Sequence, residues 1–132
     1  MAMKLPEPTK TVTMWKTDSE SFEQLVTGKK KFEVKIATPG IKDILEKDLI
    51  IFFGHDDQKF LIVQRSRRFK TFDEMLQVIN ASEIFPGKDQ EGALKELRAK
   101  FPKSKEHYGV YAFELTPYVA PAKKVNITYA TK

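Results

Sequence analysis

The sequence predicts an α+β fold, a mixed β-barrel flanked by three or so α-helices. Three observations lead there. Strand-like and helix-like segments alternate irregularly, with no regular βαβ repeat, which argues against a doubly wound parallel sheet. Residues 48–53 and 59–65 are strands rich in apolar residues on both faces, the pattern of barrel strands covered by helices. The polar stretch 54–58 between them reads as a hairpin loop, which makes that pair antiparallel.

Taken in order, residues 1–10 carry two prolines and no apolar core, so they read as a flexible leader rather than a signal peptide. Residues 11–16 alternate as a first strand, with Val12 and Met14 on one face. Thr17, Asp18, Ser19 and Glu20 fit a capping box that starts a helix at Thr17. Phe22, Leu25 and Val26 form its apolar stripe, and Gly28 stands where a helix end needs a positive φ. Residues 31–36 then alternate strictly. Phe32, Val34 and Ile36 are assigned to the core, and Lys31, Glu33 and Lys35 to solvent or a cleft.

Pro39 and Gly40 break the chain, and residues 41–45 suit a short helical turn. After the hairpin, Phe72, Met75, Leu76 and Ile79 mark an amphipathic helix. Residues 80–87 are a connection, residues 89–101 a further helix with Leu94, Leu97 and Phe101 inward, and residues 108–115 a closing strand. Pro117, Pro121 and Asn126 break up the tail, where residues 125–129 suit an edge strand. The expected organisation is a leader (1–10), one domain (11–116) and a C-terminal extension (117–132). Phe22, Leu25, Phe52, Ile62, Leu76, Leu97 and Phe113 are expected to share one core.

The chain of 132 residues is 41% apolar, with ten phenylalanines, enough for one packed domain. It contains no cysteine, which removes disulfides and thiolate metal sites. No apolar run nears the roughly 20 residues of a membrane span, and a cytoplasmic location is expected. The net charge of +5 favours anionic partners such as RNA or nucleotides. His55 and His107 lack a ligand spacing and read as loop residues, so neither a metal nor a cofactor is expected.

Two clusters can carry chemistry. The first is Gly28, Lys30, Glu33 and Lys35. Gly28 permits a sharp turn, Glu33 and Lys35 share a strand face, and Lys30 can swing toward them. The second is Arg65, Arg67, Arg68 and Lys70 with Phe69 among them. Cations interleaved with an aromatic can hold phosphates and stack a base, although Phe69 reads more simply as core. Trp15 reads as a packing residue beside the cleft.

Residues 28–35 spell G-x-K-x-x-E-x-K, which resembles the ASCH signature G-x-K-x-x-E-x-R with Lys35 in the arginine place. Lys47, Asp48, Leu49, Ile50, Ile51 and Phe52 resemble that family's G-D-x-I-x-F strand, with Lys47 replacing glycine. Residues 69–76, 85–87 and 108–115 are similar to its later landmarks, so the resemblance covers about residues 12–115. It implies a PUA-like barrel and an RNA- or nucleotide-binding module; together with the basic cluster, the expected ligand residues are Gly28, Lys30, Glu33, Lys35, Arg65, Arg67 and Arg68.

The resemblance also implies an alternative, a hydrolase of amidohydrolase or ribonuclease type acting on RNA or modified nucleosides. Some small ASCH proteins hydrolyse N4-acetylcytidine with a lysine base, a threonine nucleophile and a downstream glutamate. By position these fall on Lys30, Glu33 and, further along, Glu83. Lys30 and Glu33 are therefore the catalytic candidates. A carboxylate is a poor substitute for the hydroxyl, because attack would form an anhydride. A protein-interaction domain using the tail is a third reading.

Overall fold

Five strands and five helical segments follow one another in a computed structural model that describes residues 13–54 and 58–118. Strands β1 (Thr13–Lys16), β2 (Phe32–Ile36), β3 (Leu49–Phe53), β4 (Gln58–Phe69) and β5 (Val110–Pro117) form one sheet in the order β1-β3-β4-β5-β2. Only the β1–β3 pair is parallel, so the sheet is mixed. Three helices exceed one turn: α1 (Ser19–Thr27), α3 (Phe72–Val78) and α4 (Gln90–Lys100). Two single turns, α2 (Pro39–Lys42) and α5 (Lys103–Glu106), complete the set. The expected α+β class is what the chain adopts, and its mixed sheet forms a half-barrel.

The core is divided by the sheet, and this corrects the single-core expectation. On the outer face Phe32, Val34, Ile36, Phe69, Val110 and Ala112 pack with Phe72, Met75, Leu76 and Leu97 of α3 and α4. On the inner face Trp15, Ile50, Phe52, Leu61, Val63, Phe113 and Leu115 pack with Leu25 of α1 and Ile44. Leu25, Phe52 and Phe113 thus lie on one side, with Phe22 against them, and Leu76 and Leu97 on the other. Ile62 is only half-buried and belongs to neither group. Four strands, β1, β3, β4 and β5, contribute apolar residues to the inner face.

Local signals explain most boundaries. Gly28 ends α1 with φ 84°, in the left-handed region. The α1 cap is Asp18, not Thr17: its carboxylate accepts from the Ser21 amide at 2.7 Å. That is an ordinary N-cap bond to the third helical amide, which needs no partner glutamate. The carboxyl lies below its ordinary value of 3.8, mainly because of this hydrogen bond. Thr71 and Asp89 cap α3 and α4 in the same way.

Four elements differ from expectation; the first is α2, which spans Pro39–Lys42 rather than residues 41–45, because proline is tolerated in a helix's first turn. β4 continues to Phe69 rather than stopping at Arg65, because a bulge between Val63 and Arg65 re-registers it against β5. A 3-10 turn, Ala81–Glu83, lies within the connection 80–87. The single turn α5 brings Glu106 inward. Residues 1–12, 55–57 and 119–132, including the leader, the hairpin tip with His55 and the tail strand, lie outside the described residues.

Candidate functional site at the barrel seam

Alternation along β2 gives the site its shape. Phe32, Val34 and Ile36 point outward under α3 and α4, as expected, and all are buried. The opposite row does not face open solvent. Lys31 is exposed, but Glu33 points into the inner face at 5% exposure, and Lys35 is half-buried. The strand is covered on both faces because the curled sheet brings Trp15 on β1 close to Lys35 on β2. The Lys35 ammonium sits 4.5 Å from the centre of the Trp15 ring, a cation–π contact across the seam between the two edge strands.

Lys30 precedes β2 and is 3% exposed. Its amide donates to the Gln24 carbonyl at 2.9 Å, which folds the α1 end over Gly28. Its Nζ donates to the Ile84 carbonyl at 2.6 Å and lies 4.8 Å from the centre of the Phe85 ring. The same Nζ is 3.5 Å from Glu33 Oε1, and Lys35 Nζ is 3.9 Å from Glu33 Oε2. Among the described residues no hydrogen bond reaches Glu33 Oε1. Burial lowers the pKa of Lys30 and of Lys35; the Glu33 carboxylate opposes this, and Lys100 adds to it. A carboxylate therefore lies between two desolvated ammonium groups and lacks a close donor.

Register extends the site across the sheet. Lys35 is opposite Tyr111 on β5, and Tyr111 is opposite Arg68 on β4. Directly paired residues share a face, so Lys35, Tyr111 and Arg68 form one inner-face row. Arg68 lies 5.8 Å over the Tyr111 ring and donates to the Tyr108 carbonyl at 2.9 Å. The next row is Glu33, Phe113 and Ser66.

Of the residues singled out from sequence, Gly28, Lys30, Glu33, Lys35 and Arg68 therefore fall on one side. Arg65 and Arg67 do not join them. Their register partners Glu114 and Ala112 are those of Phe32 and Val34, which places both arginines on the outer face. There Arg65 pairs with Glu114 at 3.8 Å and Arg67 lies 5.6 Å over Phe69, which is core. Strand alternation separates Arg68 from Arg65 and Arg67, and the bulge at Val63/Arg65 sets which of the two sides faces inward.

Glu83 reaches Lys31 rather than Lys30: its carboxylate is 3.9 Å from Lys31 Nζ, and its carbonyl accepts from the Lys31 amide at 2.8 Å. Tyr111 and Phe85 escaped the sequence reading. The alternation of Tyr111, Phe113 and Leu115 signals a shared face, but only the register puts that face next to Lys35. Beyond Phe85 a groove of 330 Å³ opens between α1 and α4, lined by Asp18, Gln24, Phe85, Lys88 and Lys100 among others. Among the described residues no three His, Asp or Glu side chains converge as metal ligands, and no helix is long and apolar enough to cross a membrane.

Solved structures resemble this arrangement. Hypothetical protein PH0355 superposes with a TM-score of 0.74 at 29% identity, covering 82% of this chain and all of that one. Protein PF0455 from Pyrococcus furiosus gives 0.69 at 27% identity, covering 83% and 100%. ASCH from Zymomonas mobilis gives 0.59 at 16% identity, covering 80% and 69%. No family model matches the sequence, and no curated protein matches it significantly. The fold of this chain is that of an ASCH domain.

Proposed function

We propose that the protein is an RNA- or nucleotide-binding module whose cleft is the seam formed by Lys30, Glu33, Lys35, Tyr111 and Arg68. The observation that carries this reading is the buried Glu33 oxygen without a hydrogen-bond donor, set among cations and aromatic rings. The two ammonium groups stand at 3.5 and 3.9 Å, so the buried carboxylate is loosely paired, and a ligand group that donates to it at closer range strengthens that pairing on binding. Lys35 and Arg68 on the same face supply countercharge for phosphate, and Tyr111 and Trp15 supply ring faces. The ASCH-like fold supports the reading by analogy.

Fluorescence anisotropy with a labelled single-stranded RNA tests it. Affinity is expected to be weak and to fall steeply between low and physiological salt, as counterion release requires. Lys35→Ala and Arg68→Ala each weaken it, whereas the exposed control Lys95→Ala does not. Absence of RNA and nucleotide binding at low salt would sink the proposal.

One observation favours the hydrolase as a second reading: burial lowers the pKa of Lys30 toward the range of a general base. Against it, Lys30 already donates to Ile84, and Glu33 occupies the hydroxyl position. Wild-type protein is expected to leave N4-acetylcytidine essentially unhydrolysed; rapid turnover in a nucleoside assay would reverse the order of the two readings. The protein-interaction reading placed its contact in residues 119–129, outside the described residues.

A further inference from the structure

The inner-face row does not stop at Arg68. The Arg68 guanidinium is pinned between the Tyr111 ring and the Tyr108 carbonyl. It also lies against Gly109, whose φ is 104°; a Cβ there would come within 2.9 Å of Arg68 Nε. Glycine at 109 thus permits both the backbone turn and the close approach of the arginine. The carbonyl that holds Arg68 belongs to an exposed aromatic: Tyr108 is 47% exposed, and its ring lies 4.3 Å from that of His107 between centres, tilted by 34°. Lys105 lies 5.8 Å over the same Tyr108 ring.

Cations and aromatic rings therefore alternate from the seam to the molecular surface, in the order Trp15, Lys35, Tyr111, Arg68, Tyr108 and Lys105. Charge in the outer segment is one-sided. Lys103, Lys105 and His107 are exposed, while Glu106, the only acid between them, is turned inward to Arg98 and the Phe72 amide. The Tyr108 ring is exposed in a positive surround. Its chemistry suits a base stacked on the ring with its phosphate held by the flanking cations.

We propose that Tyr108, with His107 beneath it and Lys105 beside it, is a stacking platform for a flanking nucleotide. The ligand is then a single-stranded oligonucleotide that runs from the seam over Arg68 to Tyr108, not a free nucleoside. The proposal rests on the RNA-binding reading of the seam and specifies its substrate class. A duplex does not fit, because its bases are stacked on one another and unavailable to protein rings. The expected footprint is about four nucleotides, the low end of the range for single-strand-binding domains.

The test measures affinity for uridine monophosphate and for uridine oligomers of two, four and eight nucleotides, each at two salt concentrations. Affinity should rise at least tenfold between the dinucleotide and the tetranucleotide and change little beyond. Tyr108→Ala should weaken octamer binding roughly tenfold, within the span of single base–aromatic stacks, and leave the monophosphate unaffected. Tyr108→Phe should retain octamer binding, since the ring is kept. Thermal melting confirms that both variants fold.

If the octamer binds no better than the monophosphate, or Tyr108→Ala is silent, the platform is wrong while the seam reading stands. An effect of Tyr108→Ala that Tyr108→Phe reproduces would also overturn stacking. Failure of every probe to bind overturns the platform and the seam reading together.

Discussion

Two glutamates are buried on opposite sides of the same sheet, and they are treated differently. Glu106, among the outer helices, accepts from the Phe72 amide at 2.7 Å and from Arg98 Nη1 at 3.1 Å. Arg98 extends the network to Asp73 at 3.1 Å. Each of the two carboxylate oxygens has a close donor, and the carboxylate closes the start of α3. Glu33, on the inner face, has two ammonium groups at 3.5 and 3.9 Å, and one oxygen without a hydrogen bond. Similar burial thus yields one satisfied network and one incomplete network. A satisfied network is what stability selects; an incomplete one in a folded protein suggests a site whose last partner arrives from outside.

The largest expected effect lies on the satisfied side. Glu106→Ala removes the partner of Arg98 and orphans the Phe72 amide, so urea denaturation should show a loss of about 3 kcal/mol. A loss below about 1 kcal/mol would mean that Glu106 is no more structural than Glu33, and the comparison would collapse.

The opposite result is expected at the seam. Replacing both members, as in Lys30→Met with Glu33→Leu, removes an ion pair whose desolvation its geometry does not offset. Such replacements are often neutral or stabilising, here by about 1–2 kcal/mol. RNA binding should be lost in the same variant. Gain of stability with loss of binding is the signature of a functional site; a large loss of stability would reassign Lys30 and Glu33 to the fold.

Alkaline titration sharpens the seam side further. Lys30 and Lys35 have folded pKa values below the ordinary 10.5, chiefly through burial. The unfolded chain therefore binds more protons between the lowered values and 10.5, so stability rises with pH across that window. Glu33→Gln deletes the carboxylate that opposes the shift. The rise should then begin at lower pH and be larger, as read from urea midpoints between pH 7 and 10.5. An unchanged profile would show that Glu33 does not control the charge of the two lysines.

The strand faces and helix ends behind this contrast are legible in the sequence, but the contrast itself is not. The strict alternation at 31–36 fixes which β2 residues share a face, and Gly28 marks the end of α1. What the sequence leaves open is the cover on each face. Glu33 reads as a surface charge until the sheet curls and brings Trp15 over Lys35, a contact between residues twenty positions apart. The Arg65, Arg67 and Arg68 cluster reads as one patch because the strand is expected to end at Arg65; its continuation to Phe69 puts Arg68 on the opposite face from the other two, and the bulge decides which face is inner. The Glu106 network is equally hidden, since it joins three helices through a single buried side chain.

The smallest expected effect asks whether the inner face is simply less optimised throughout. Lys47, before β3, has φ 76°, the only positive φ among described residues other than glycine. Its resemblance to a glycine position in G-D-x-I-x-F signalled this strain. The side chain is exposed, and the amide donates to the Val63 carbonyl at 2.7 Å, so the turn is held by β4. A left-handed conformation at a residue with a Cβ costs roughly 1–2 kcal/mol, while glycine adds about 0.5–1 kcal/mol of unfolded-state entropy. Lys47→Gly should therefore stabilise by about 0.5 kcal/mol, measured as a small rise in urea midpoint, and leave RNA affinity unchanged because Lys47 lies outside the seam. A gain as large as that of the Lys30/Glu33 double variant would make strain general to this face, and the incomplete pairing of Glu33 would lose its special meaning. A small gain with unchanged binding leaves Glu33 as the position where the inner face gives up stability for a ligand.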